Sequence, residues 1–596
     1  MRNAETILTV IQDRGKRGLP LERIYRLLFN RELYLRAYAR LYPNQGAMTK
    51  GSTNETVDGM SLEKIDTLIE AVRYERYRWT PVRRTYIPKR NGKRRPLGIP
   101  SWGDKLLQEV MRSILEAYFE PQFSKHSHGF RPSRGCHTAL SEIQTWKGTR
   151  WFIEGDIAKY FEDINHDVLL SMLGDHIQDG RFLRLLRELL EAGYLEDWKF
   201  NKTISGTPQG GVISPLLSNI YLHGFDKWTE TTLIPEHTKG KRQKPHPKYR
   251  KISNKLYALR KRGDTKGVKE LVKQRRSIPS VDTRDAGYRR LRYVRYADDF
   301  ILAFTGPKAE AEEIKQKIEG WLLDNLKLTL SKEKTLITHA STTAARFLGY
   351  DIKVQRVNDY IDPTGRRGLN GVIGLYVPPK IIEAKCAKYL RKGKTIHRSE
   401  LLKDSDFTIV ATYQQEYRGI VQYYLPAMNV AWFSKLHWIM QGSLLKTLAA
   451  KHQSSMRKMK RKYSTTTTDA RTGNTLKCLE VRVERTGKRV LVARWGGISL
   501  ARQPRTVIDD QPYRVRGGRT ELLKRLLADE CELCGSHERV EVHHIRKLSD
   551  LNKPGRKKKP RWAEEMAARR RKTLVVCRSC HEAIHQGRPT RQQVLK

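Results

Sequence analysis

What this 596-residue chain lacks narrows its class before any motif is read. It has no run of 18 or more apolar residues, so no membrane-spanning helix and no membrane partner is expected. Residues 1–18 carry Glu5 and Asp13 and have no apolar core of signal-peptide type, which points to a cytoplasmic or nucleoid protein. Acidic residues are scarce, 64 Asp and Glu against 115 Lys and Arg, a formal net charge of +51. A balance so one-sided exceeds what solubility needs and gathers a polyanion through counterion release. Cysteines are few as well. Of seven, Cys136, Cys386 and Cys478 are scattered and read as small buried hydrophobes, while Cys531, Cys534, Cys577 and Cys580 form two C-x-x-C pairs. In a reducing compartment such pairs read as zinc ligands. No repeat of solenoid period is present, which excludes a stacked array.

What is there suffices for cores: 38% hydrophobic and 9% aromatic residues. The length calls for three or four structural units of mixed α and β type. Residues 19–75 have helical periodicity with a looser stretch at 46–59, and residues 85–100 read as a hairpin turning at Asn91-Gly92. Helices are expected at 104–119, 182–195 and 216–225, and a short buried strand at 151–153. A Lys- and Arg-rich insert, 237–290, with a single helix at 256–272, reads as a solvated or RNA-facing appendage. Residues 380–451 have the apolar spacing of a small helical bundle. The basic run 457–462 and the threonine tract 465–468 then read as a linker.

The chemistry centres on residues 291–304. Two apolar runs flank Ala297-Asp298-Asp299, the pattern of a β-hairpin with carboxylates at its tip, where adjacent aspartates need a divalent cation to neutralise them. A second acidic position, Asp156, follows the buried strand 151–153. Two-metal phosphoryl transfer takes carboxylates from separate strands, and Asp156 with Asp298 is the pair that fits.

Tyr296-Ala297-Asp298-Asp299 resembles the Y-x-D-D box of reverse transcriptases, and residues 154–161 resemble their first aspartate motif. Residues 206–219, with Gly206-Thr207-Pro208-Gln209-Gly210-Gly211, resemble the motif between the two. Residues 87–100 and 129–135 upstream and Phe347-Leu348-Gly349-Tyr350 downstream complete six motifs in one order. The wording is similar to that of the group II intron maturase and reverse transcriptase family over nearly the whole chain. This resemblance implies an α+β fold: a right-hand polymerase (fingers and palm) with a helical thumb, a basic DNA-binding segment and a small zinc-containing ββα-metal nuclease domain. It implies Asp156, Asp298 and Asp299 as catalytic residues, with Asp156, Ile157 and Asp298 holding two Mg²⁺. Lys89 and Arg95 would grip the triphosphate, Phe161 would exclude a 2′-hydroxyl, and Gln209 would contact the nucleotide or its template base. Either Lys332 or Lys334 would protonate pyrophosphate. Arg418, Tyr423 and Tyr424 stay open between RNA contact and core packing.

Between the two cysteine pairs, residues 540–545 form an alternating strand ending in His543-His544, and His581 and His585 follow the second pair on one helix face. The arrangement resembles an HNH endonuclease, with His544 as general base and His543, His581 and His585 as ligands of one divalent ion. It departs from the usual pattern at 571–574, Arg-Lys-Thr-Leu, where many such sequences have asparagine.

The resemblance divides the chain into an RNA-contacting N-terminal extension (1–80), fingers and palm (81–355, basic insert about 235–290), a thumb or maturase region (356–455), a DNA-binding region (456–525) and a nuclease (526–596). The implied function is that of a bacterial group II intron-encoded protein. It would act in a ribonucleoprotein with its intron RNA, assist splicing, nick double-stranded target DNA and polymerise dNTPs on the RNA from the 3′-hydroxyl released. The alternatives are a retron- or defence-type reverse transcriptase and a splicing cofactor without polymerase activity.

Overall fold

The computed structural model describes residues 3–88, 92, 94–196, 199–201, 206, 210–282, 285–357, 370–469, 471, 473–485, 488–508, 520–551, 560–569 and 571–590. Lys89, the hairpin tip at Asn91, and residues 207–209 of the Gly206–Gly211 turn, Gln209 among them, lie outside them.

Helices and strands mix throughout. The central element is a four-stranded antiparallel sheet in the order Leu336–His339, Trp151–Gly155, Asp299–Phe304, Leu291–Tyr296. The two middle strands are apolar on both faces because helices cover one side and the 345–376 sheet the other, so Phe152 and Ile301 reach one core and Ile153 and Leu302 another. The expected hairpin is present as Val82–Pro88 against Arg94–Ile99, inside a second sheet completed by Tyr194–Glu196 and Lys199–Asn201.

The expected helices form with shifted ends. The first runs Trp102–Phe119, started by Ser101, whose hydroxyl accepts from the Asp104 amide. The second spans Gly180–Glu191, and the chain turns at Gly193, φ 76°, into the strand Tyr194–Glu196 instead of continuing to 195. The third spans Ser214–Trp228.

Two expectations are corrected. Among its described residues the insert holds two helices, Pro247–Lys261 and Thr265–Arg276, not one: Gly263 at φ 73° ends the first, and Asp264 caps the second by accepting from the Gly267 amide. The supposed linker is ordered structure. Residues Met456–Tyr463 are helical, and Ser464–Thr468 is the first strand of a three-stranded sheet with Thr475–Arg485 and Lys488–Gly496. β-Branched threonine favours a pleated edge, and the buried Trp495 ties that sheet to Tyr413 and Tyr417 of the helix Asp406–Tyr424.

Near the C-terminus is a ββα unit, Val540–His544, Thr573–Cys577 and Arg578–Gln586, which carries Cys577 and Cys580, while Cys531 and Cys534 sit in the turn before its first strand. Its sheet gains a third strand from the other end of the chain, Met60–Ser61, with Met60 opposite Val542. Val540, Val542 and Val575 bury one face in the core that also contains Tyr38, Met60 and Trp102. Among the described residues no helix is long and apolar enough to cross a membrane.

Candidate active sites

The strand register sets the first site. Phe300 pairs with Gly155, so Asp156 and the turn Ala297-Asp298 emerge at the same end of the sheet. Gly155 is needed there, since a Cβ would meet the Phe300 ring at 2.1 Å. The turn is strained: Ala297 has φ 57°. It is held by Arg295, fully buried, whose guanidinium donates to the Ala297 carbonyl at 2.8 Å, to Asn219 at 3.1 Å, to Ser127 at 2.9 Å and to both oxygens of Asp226. Gly129 lies so close beneath the turn that a Cβ would meet the Ala297 nitrogen at 2.3 Å.

Burial pushes the Asp298 carboxyl above its usual range, helped by the charge of Asp156 and opposed by Arg95 and Lys334. Asp299 is pushed up to about 7 by burial, then by Asp298 and Asp156. Three half-buried carboxylates so close repel one another, which is the chemistry a divalent cation relieves. Lys334 already lies on Asp156, its Nζ 3.0 and 2.8 Å from the two carboxylate oxygens, while Lys332 does not reach it. Backbone bonds fix the segment after Asp156: Ser331 donates to the Asp156 carbonyl, Ala158 donates to Thr329, and Ile157 bridges Leu330. Arg95, exposed on the strand Arg94–Ile99, lies near enough for its charge to reach Asp298. Phe161 is half-buried on the short helix Tyr160–Asp163, its ring edge-on to Tyr160. Tyr423 and Tyr424 are structural here, donating to the carbonyls of Leu348 and Gly349, whereas Arg418 is exposed.

In the second site Cys531, Cys534, Cys577 and Cys580 bring their sulfurs together, with Cys534 3.7 Å from both Cys577 and Cys580. Sulfurs bound to one tetrahedral zinc at 2.3 Å lie about 3.8 Å apart, so the donor set fits that ion.

Strand alternation sends His543 and His544 to opposite faces. His543 meets His581 and His585, with ring centroids 5.3 and 5.2 Å away. His544, 5% exposed, instead faces Tyr38, with Oη and Nε2 2.9 Å apart, and burial holds its pKa down at about 3. His581 Nδ1 bonds Glu541 at 2.7 Å. Burial opposes its charge, but Asp58 and Glu541 outweigh that and raise it to about 9.

Three families match the chain in order: reverse transcriptase (RNA-dependent DNA polymerase) over residues 87–352, type II intron maturase over 379–486, and AI2M/AI1M-like HNH endonuclease over 531–581. The chain is 38% identical to the group II intron-encoded protein LtrA of Lactococcus lactis subsp. cremoris over 584 residues, covering 94% of this chain and 95% of LtrA.

The chain belongs to the group II intron-encoded proteins.

It is 34% identical to the uncharacterized 91 kDa protein in cob intron of Schizosaccharomyces pombe, over 98% of this chain and 73% of that protein. It is also 34% identical to protein YkfC of Escherichia coli, over 54% of this chain and 81% of YkfC. As a group II intron-encoded protein it is multifunctional, joining reverse transcriptase, maturase and HNH endonuclease in one chain.

Sequence reasoning about this intron-encoded protein missed Arg295, Asp226, Asn219 and Ser127, the clamp under the aspartate turn. An arginine between two tyrosines inside an apolar strand was the available signal for it. It also missed Tyr38, Asp58 and Glu541 around the histidines. No local signal marks those, because their partners lie far along the chain or across a sheet.

Proposed function

We propose that this protein is a right-hand polymerase and a nuclease that serve one reaction, target-primed copying of a group II intron RNA. Residues 81–355 act as fingers and palm, 356–455 as thumb and maturase region, 456–525 as the DNA-binding segment and 526–596 as the nuclease; the first 80 residues touch RNA. The observation that carries the polymerase reading is the convergence of Asp156 and Asp298 from separate strands on one end of the sheet.

In this reading Asp156, Asp298 and the backbone oxygen of Ile157 hold two Mg²⁺, which when bound neutralise the phosphates of the reacting nucleotide. The chain's own residues do the rest. Arg95, with Lys89, grips the triphosphate, a planar fork and a point charge for phosphate oxygens. Phe161 lies under the deoxyribose, and Gln209 meets the nucleotide or its template base. The primer 3′-hydroxyl gives its proton to water and attacks the α-phosphorus, the bond to pyrophosphate breaks, and Lys334, which must leave Asp156 when the ions bind there, would give the leaving oxygen a proton and regain one from solvent.

The nuclease prepares that primer. Cys531, Cys534, Cys577 and Cys580 hold a structural Zn²⁺, and His543, His581 and His585 hold one divalent ion, which polarises the phosphate when bound. His544 is the base in this reading and takes the proton of the attacking water, although its ring faces Tyr38 on the other side of the strand and burial lowers its basicity. Cleavage of one strand of the double-stranded DNA target leaves the 3′-hydroxyl from which intron RNA is copied with dNTPs. The experiment is to purify the protein from its host and sequence the RNA bound to it. A structured intron that encodes this reading frame is the expected result; a small unrelated RNA contradicts it.

A further inference from the structure

The histidine cluster has a fourth member that comes from the opposite end of the chain. Asp58 lies between the stretch 46–57 and the strand Met60–Ser61, and that strand pairs with Val540–His544. The pairing carries the carboxylate into the cluster: Oδ1 is 3.4 Å from His543 Nδ1 and 3.2 Å from His581 Nε2, and Oδ2 is 2.8 Å from His585 Nε2. The two helix histidines stand 3.1 Å apart through their Nε2 atoms. Oδ1 also accepts from the His544 backbone amide at 2.7 Å, which fixes the carboxylate in place.

These spacings are those of donors around one ion. Nitrogen and oxygen ligands about 2.0–2.1 Å from a tetrahedral ion lie about 3.3–3.4 Å from each other, and closer where coordination is higher. Three further observations point the same way. His543 is 4% exposed, yet among the described residues neither of its ring nitrogens has a hydrogen bond of good geometry. A buried polar atom left without a partner is costly, and an ion at the centre of the cluster supplies one. His581 presents Nε2 to the cluster while Glu541 holds its Nδ1, the carboxylate–histidine pairing that orients metal ligands. Asp58 supplies a negative oxygen to what is otherwise an all-nitrogen set.

We infer that Asp58 is a direct ligand of the nuclease ion, so that the metal centre is shared between the N-terminal region and the ββα unit. The donor set, three imidazoles and one carboxylate, selects a divalent transition ion over Ca²⁺ or Mg²⁺. This inference rests on reading the histidine cluster as the nuclease metal centre. It also gives residues 46–61 a role apart from RNA: they complete a metal site more than 480 residues further along, the Asp58-to-His544 separation being 486.

The test uses full-length protein loaded with a single equivalent of zinc, enough for the four cysteines only, and carrying Asp156→Asn and Asp298→Asn, so that the polymerase carboxylates do not compete, titrated with Mn²⁺ while free Mn²⁺ is read by electron paramagnetic resonance. One tight site is expected, weakened at least tenfold by His543→Ala and by Asp58→Ala; even outer-shell partners of a metal typically contribute about 10- to 100-fold. If His543→Ala weakens the site and Asp58→Ala does not, the ligand assignment is overturned while the histidine centre stands. If neither does, the reading of the centre itself fails. Because Asp58→Ala also loosens the docked strand, Asp58→Cys with Co²⁺ gives a direct readout. A thiolate-to-cobalt absorption band beyond that of the parent protein is expected, and its absence overturns the proposal.

Discussion

Tyr38 Oη and His544 Nε2 stand 2.9 Å apart although 506 residues separate them in the chain. Tyr38 belongs to the helix Arg31–Leu41, its ring edge-on to Trp102 and to His544, so the nuclease strand is seated against the N-terminal region by a polar contact as well as by packing. A buried imidazole with one fixed partner has a fixed orientation, which is what a base acting on a single water needs. Tyr38→Phe keeps the ring and removes only the oxygen. With about 1 kcal/mol for a neutral hydrogen bond, DNA nicking is expected to fall by up to about tenfold, with primer extension unchanged. A rise in nicking would show instead that the contact restrains the base.

The clamp beneath the aspartate turn gives a second expectation. Arg295 and Asp226 are both fully buried, and Arg295 donates to the Ala297 carbonyl. Breaking a buried pair leaves an uncompensated charge and costs about 3–5 kcal/mol. Arg295→Met is therefore expected to lower the Tm of the transition that contains the central sheet, and Arg295→Met with Asp226→Leu to regain part of it. Equal Tm values for single variant and parent would contradict the clamp.

How much of this was legible in the sequence depended on the distance between partners. The hairpin around Asp298 was, because its apolar flanks and acidic tip are contiguous, and so was the four-cysteine cluster, because each pair forms a local turn. Arg295 was hidden: its acceptors sit at 127, 219, 226 and 297, and only the folded sheet gathers them. Asp58 was hidden for the same reason, as a single carboxylate in a glycine-containing stretch. The threonine tract was misread because a turn-like composition and a β-branched strand look alike until Thr475–Arg485 is placed beside it. That Lys334, and not Lys332, lies against Asp156 was hidden as well, because the turn that carries both lysines reaches Asp156 only in the folded chain.

Sugar discrimination is expected to reside in Phe161. It sits five residues after Asp156 on the short helix Tyr160–Asp163, half-buried and with one ring edge against Tyr160. A bulky ring beneath the sugar rejects a 2′-hydroxyl by clash. Phe161→Val should raise the ratio of ribonucleotide to deoxyribonucleotide incorporation, measured as kcat/KM for each. An unchanged ratio would leave the residue a packing role only.

The nuclease unit offers a contrast between chemistry and folding. His544→Ala removes the proposed base without touching the cysteines, so nicking should fall by the roughly 10²- to 10⁴-fold typical of a lost general base, with zinc content unchanged. Cys531→Ser should lose zinc and unfold the ββα unit, because structural zinc contributes directly to folding. Strand-specific labels on a target duplex, together with metal analysis, separate the two. Nicking that persists in His544→Ala would assign the base elsewhere.

The central claim, that Asp156 and Asp298 form the polymerase centre, is tested most directly by primer extension on an RNA template with Mg²⁺, comparing parent protein and Asp298→Asn alongside binding of intron RNA. Asp298→Asn keeps the size of the side chain and removes the charge that two phosphoryl-transfer ions require. Extension is expected to vanish while RNA binding is retained. Extension at the parent rate would contradict the assignment of the site.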